Sequence, residues 1–145
     1  MSSRREDRRT AIDVLYQADV TGADAIEVLE DWRDAGRDVS TFTRALVQGT
    51  VEHLPQIDLL LEEHAQDWTL ARMAAVDRTI LRVALEELLH RDDIPASVAI
   101  NEAVEAANDL STESSGRFVN GILGRIAREP GIEGNGVDAP GGAET

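Results

Sequence analysis

Arginine supplies all of the basic side chains in this sequence, and it is concentrated at two places. Arg4, Arg5, Arg8 and Arg9 stand in the first twelve residues against only Glu6 and Asp7. A second stretch, 114–128, holds Arg117, Arg125 and Arg128 and no acid. Guanidinium groups present forked donors that match phosphate oxygens, so clusters of this kind bind polyanions. Phe118 directly follows Arg117, and an aromatic beside a guanidinium is the pairing that stacks unpaired bases in RNA recognition. The same ring also fits the edge of a helix's core face, and both readings stand at this point. At 100° per residue Arg117, Arg125 and Arg128 share a sector of about 80° with Gly121 and Gly124. Glycine inside a helix costs about 1 kcal/mol relative to alanine, which suggests close approach by a second helix or a nucleic-acid backbone.

Catalytic arrangements are missing from the sequence. His53, His64 and His90 have spacings that place no two of them on one helix turn, and each falls near a helix end, where a cation is favourable. No metal or catalytic role is expected of them. Glu62–Glu63 and Glu86–Glu87 are adjacent pairs that diverge by about 100° on a helix, so they read as solvated faces and not as a carboxylate dyad. Ser111, Ser114 and Ser115 lie in a polar segment without a nucleophile elbow or a neighbouring base. There is no phosphate-cradling glycine loop, and without cysteine there is no disulfide, thiol chemistry or Cys-based zinc site. The expectation is a non-enzyme without cofactor.

The chain has 145 residues, a net charge of −14 and 42% apolar residues, which fits one globular domain. Taken whole, −14 argues against nucleic acid, but the charge is unevenly spread. Two basic ends flank an acidic body, and residues 129–145 add four acids and no base. This last segment holds five of the 11 glycines and two of the four prolines, so a disordered acidic tail is expected there after a folded domain over 1–128. The longest apolar runs are far too short for a transmembrane helix. The segment MSSRREDRR has no apolar stretch after its arginines and does not read as a secretory signal. A cytoplasmic location is expected, with no membrane partner.

Helical periodicity with caps recurs throughout and strand signals are nearly absent. Ser3-Arg4-Arg5-Glu6 has the capping-box form and opens a helix to about Asp19, with Ala11, Ile12, Leu15 and Ala18 inward and Thr21-Gly22 as the stop. Ile26, Val28, Leu29 and Trp32 define a second helix. Ser40 caps a third, with Phe42, Ala45, Leu46 and Leu54 inward, and Pro55 must kink or restart it. From Val76 to Leu89 apolar residues cover most of the wheel, which marks a central helix buried on several sides. Helices over about 96–108 and 115–128 complete an all-α set of six to seven.

Three segments, in this order and spacing, resemble the bacterial antitermination family NusB. They are V-D-R-T-I-L-R-V-A-L-E-E-L (76–88), V-A-I-N-E-A-V-E-A-A (98–107) and R-F-V-N-G-I-L (117–123), and the opening R-R-x-A-I-x-V-L-Y (8–16, with Arg4 and Arg5 upstream) is similar to the family's first helix. The resemblance covers roughly 4–128. It implies a NusB-like fold of two small helical bundles around a central buried helix. It also implies a non-enzymatic factor that pairs with the ribosomal protein NusE, binds boxA RNA of nascent ribosomal RNA transcripts and works with other Nus factors in the transcription elongation complex. Carried over by position, Arg4, Arg5, Arg8, Tyr16, Arg117 and Phe118 are the RNA-binding residues and Asp77 faces NusE. Ser114 stands where some relatives carry an acid. The ring of Tyr16 fits a core role equally well, and the choice between monomer and homodimer stays open. An acidic body suits a basic ribosomal partner, which would supply part of the positive charge RNA requires.

Overall fold

The structure is a computed structural model that describes residues 3–65 and 69–130. Among these residues it has seven α-helices and no strand, in the order α1 (Arg4–Thr21), α2 (Ala25–Asp34), α3 (Thr41–Glu52), α4 (Leu54–His64), α5 (Ala75–His90), α6 (Ala96–Leu110) and α7 (Glu113–Ala127), with a 3-10 turn at Leu70–Arg72 before α5. The tail expected over 129–145 lies outside the described residues from 131 onward.

The local signals do what their chemistry demands. Ser3 accepts a hydrogen bond from the amide of Glu6 while the Glu6 carboxylate takes that of Ser3, which closes the capping box of α1. At its other end Gly22 sits at φ 77°, a left-handed position suited to glycine, and returns its N–H to Ala18. Asp24, Ser40 and Thr112 cap α2, α3 and α7 in the same way. Pro55 restarts the chain instead of kinking it: α3 ends at His53 and α4 begins with proline in its first turn, where no donor is lost.

α1, α2 and α3 pack on one another, α6 packs along α7, and α5 touches α1, α3, α4, α6 and α7. This is the two-bundle arrangement around one buried helix. Ile80, Leu81, Val83, Ala84, Leu85 and Leu88 fill the centre, with Val14 and Val47 joining the inward residues expected on α1 and α3. Leu15, Ala45 and Leu54 are only partly covered.

One expectation is overturned. Glu86 and Glu87 are not a solvated face; they are 3% and 1% exposed. α5 is so deeply surrounded that even its polar positions are enclosed. Each carboxylate is met by a residue from elsewhere in the chain: Glu86 by His53 and Glu87 by Arg8.

Candidate nucleic-acid interface

α1 runs antiparallel to α5, since Arg8 near its start meets Glu87 and Asp19 near its end meets Arg78. The two arginine groups therefore lie toward opposite ends of α5. The ten residues from Asp77 to Glu87 correspond to about 15 Å along the axis.

Each N-terminal arginine has an acidic partner. Arg5 donates from Nε and Nη2 to the two oxygens of Glu102 on α6, at 3.0 and 3.1 Å. This pair holds the Glu102 carboxyl below its ordinary value and raises that of Arg5. Arg9 donates to Asp109 at 3.0 Å. Arg4 lies 4.0 Å over the ring of Phe42 and 3.6 Å from Asp93. These pairs are exposed and screened, so each contributes little to stability. Their effect is to hold the guanidinium groups in place on the surface. Arg5, Arg9 and Tyr16 fall within about 40° of one another on the wheel of α1, so Tyr16 continues the arginine stripe along the helix. Tyr16 is 40% exposed and is not among the buried core residues.

Arg8, placed among the RNA-binding residues by the resemblance, instead points inward. It is 7% exposed, and its guanidinium is bound by both oxygens of Glu87 at 2.9–3.0 Å. In this position it joins α1 to α5 and presents no donor face to solvent.

At the other end, Arg117 and Phe118 open α7. Arg117 is exposed and donates to Ser114 Oγ at 3.3 Å, and among the described residues it has no ion pair. Phe118 is half-buried: one side packs on the core, the other lines an open cleft of about 470 Å³ together with Arg72, Met73, Ala74, Asp77 and the serines 114 and 115. Asp77 forms the cleft's floor. Its Oδ2 accepts from Ser115 Oγ at 3.1 Å, which ties α5 to α7, while its buried Oδ1 has no hydrogen-bond partner among the described residues. Burial raises the Asp77 carboxyl above its usual range, against the opposing pull of the Ser115 and Ser111 hydroxyls.

The glycines of α7 have a simpler explanation than a second helix or a nucleic-acid backbone. Gly121 is overlain by the guanidinium of Arg125 and Gly124 by that of Arg128, both from the next turn of the same helix, and an added Cβ would meet them at ordinary contact distance. Arg125 is itself drawn inward, donating to the carbonyl of His64 at 2.8 Å. Close approach occurs at Gly116 instead, where a Cβ would collide with the Asn108 side chain of α6.

Fold and surface together define a class: a single all-α domain of two short bundles sharing one buried helix, with arginine–aromatic surfaces toward both of its ends. The NusB family pattern matches residues 5–128, and the chain belongs to the NusB family. It is 53% identical over 131 residues to the transcription antitermination protein NusB of Saccharopolyspora erythraea, covering 88% of each chain. It is 46% identical to that of a Nocardioides species, covering 88% of this chain and 96% of the relative. Among solved structures, T. maritima NusB superposes with a TM-score of 0.80 at 40% identity, over 88% of this chain and 92% of that one. A chain from a complex of the antitermination factors NusB and NusE with double-stranded RNA matches with a TM-score of 0.75 at 26% identity, over 84% and 93%.

Sequence reasoning missed Glu87, Glu102 and Asp109, the acids that hold the arginines. The signal for Glu102 and Asp109 was their seven-residue spacing on α6, which repeats on one helix face. For Glu87 there was no local signal, because its partner lies 79 residues away.

Proposed function

We propose that this chain is a non-enzymatic transcription antitermination factor. It pairs with NusE, binds boxA RNA of nascent ribosomal RNA transcripts in the cytoplasm, and acts in the elongation complex with other Nus factors. The observation that carries the reading is the pairing of a held arginine stripe (Arg5, Arg9, Tyr16) with an exposed arginine–aromatic pair (Arg117, Phe118) on a chain of this family. Arg4 adds a third cation at the head of α1. Arg8 serves by fixing α1, and so the stripe, against α5. The RNA phosphates must displace Glu102 and Asp109 from Arg5 and Arg9, which makes the isolated chain a weak binder. A basic partner relieves this by adding positive charge next to an acidic body.

Labelled boxA RNA and a scrambled RNA of equal length, titrated at physiological salt with and without NusE, test the proposal. The expected result is preference for boxA that tightens at least tenfold as the heterodimer. Equal affinity for both RNAs in both states sinks it.

Asp77 is proposed to face NusE at the cleft it lines, where its carboxylate holds the head of α7 through Ser115 and so shapes the docking surface. Asp77→Asn should weaken the heterodimer about tenfold while leaving the isolated chain more stable at neutral pH. The sign follows from the raised carboxyl. The folded state takes up a proton more readily than the unfolded one, so the wild-type charge costs stability at neutral pH, and that cost disappears as pH falls through the folded value. Thermal unfolding from pH 7 to pH 4 should show the variant's advantage shrinking steadily. An advantage that grows on acidification contradicts the assignment.

A further inference from the structure

The sequence places no two histidines on one helix turn, but the fold brings two of them into contact. His53, between α3 and α4, stacks on His90, the last residue of α5, with ring centroids 3.7 Å apart and planes within 17°. Glu86 lies one turn before His90 on the same face of α5 and reaches the same place: its Oε1 is 2.9 Å from His53 Nδ1. One nitrogen or oxygen from each of the three residues lies within 4.8 Å of the other two.

We propose that His53, Glu86 and His90 form a binding site for one divalent transition-metal ion of the zinc class. Two imidazole nitrogens and one carboxylate oxygen form a donor set that favours zinc, cobalt or nickel over magnesium and calcium. The Glu86–His90 spacing of four residues is that of paired ligands on a single helix face. The sequence reading compared histidines only with one another and so passed over it.

Three features of the surroundings support the site. Glu86 is buried, and where Glu87 beside it is met by an arginine, its own partner is the His53 imidazole, a weaker and titratable counter-charge. A buried carboxylate is costly unless a cation compensates it. Gly49 of α3 lies against this carboxylate so closely that any Cβ there would strike it, which restricts where the carboxylate can sit. Gln56 Oε1 lies 2.9 Å from His90 Nε2, so a neutral oxygen stands at the rim beside the third ligand.

The adjustment needed is small and falls on the most exposed member. Ligand atoms on a tetrahedral zinc ion are separated by about 3.4 Å, from metal–ligand distances of about 2.0–2.2 Å, so the His53–Glu86 pair at 2.9 Å opens slightly while the widest pair, within 4.8 Å, closes by at most about 1.4 Å. Stacked rings do not aim their lone pairs at one point. One ring must turn, and His90, which is exposed, can do so by giving up its contact with Gln56. A bound ion would join the α3–α4 junction to the C-terminal end of α5, and its role would be structural.

The test uses the full chain without an affinity tag, freed of metal by a chelator. Zinc chloride titrated by calorimetry should bind one ion per chain with micromolar affinity and raise the melting temperature by several degrees. Cobalt chloride should give the visible absorption of a tetrahedral nitrogen–oxygen site. His90→Ala, an exposed change, and Glu86→Gln should each lower zinc affinity at least tenfold and abolish the cobalt band, while His64→Ala should leave both intact. His64 bonds Glu129 at 3.2 Å and offers a competing site. Absence of saturable zinc binding, affinity unchanged in His90→Ala, or loss of binding in His64→Ala instead would each overturn the proposal.

Discussion

Replacing Arg8 with alanine should destabilise the fold by about 3–5 kcal/mol, read from urea unfolding of the isolated chain. The pair it breaks is enclosed. The side chains of Arg8 and Glu87 are 9% and 2% exposed, and the guanidinium binds both carboxylate oxygens. The pair as a whole is not a strong source of stability, because desolvating two charges offsets most of their attraction. Removing one partner is different, since Glu87 in the last turn of α5 then remains buried without its bidentate partner, with only the weaker pull of Arg91 and Arg4 beside it. A domain of this size has about 5–15 kcal/mol in total, so the variant should lose a large fraction of its stability margin. Substituting both residues by apolar ones of similar volume, Arg8→Met with Glu87→Leu, should recover most of the loss. RNA affinity of that double variant then reports whether Arg8 has a second role. If Arg8→Ala keeps its stability and loses RNA binding, the guanidinium faces RNA and the burial argument fails.

This pair also shows where the sequence stops being informative. Helix ends were legible because caps are local: Ser3 with Glu6, Gly22, Ser40 and Pro55 each act within one turn, and each does so in the structure. The central helix was legible because apolar residues cover most of its wheel. Burial of Glu86 and Glu87 was not, because a charged residue on a deeply enclosed helix is tolerated only through a distant partner. Those partners, His53 and Arg8, come from 33 and 79 residues away. The arginine clusters were legible as residue types, but their direction was not. Arg5 and Arg9 point along α6, Arg8 points inward and Arg125 bends back to a carbonyl of α4, and the difference depends on which acid or carbonyl the tertiary fold brings within reach. For the same reason −14 was a poor guide. Part of the acidic excess sits directly against the basic residues and decides how readily RNA can reach them.

Phe118→Ala should weaken boxA binding by about 1–3 kcal/mol, roughly five- to 150-fold, with a smaller loss of stability than Arg8→Ala. The ring is half-buried, with one side on the core and the other on the cleft at the head of α7. Truncation therefore removes both a packing contact and a stacking surface, and a single variant cannot tell them apart. Phe118→Leu separates them, because leucine keeps apolar contact with the core but has no π-face. It should restore most of the melting temperature and leave RNA binding weak, while Phe118→Trp should keep both. The neighbouring residue supplies a second criterion. Arg117 is exposed and without an ion pair among the described residues, so its contribution is to phosphate. Arg117→Ala should flatten the dependence of log affinity on log salt by about 0.7, the value of one single-strand phosphate contact. Phe118→Ala should lower affinity at every salt concentration without changing that slope, because stacking releases no counterions. Parental affinity in Phe118→Leu, or a slope that changes with Phe118, would mean that the ring only fills the core and that the RNA passes elsewhere on the surface.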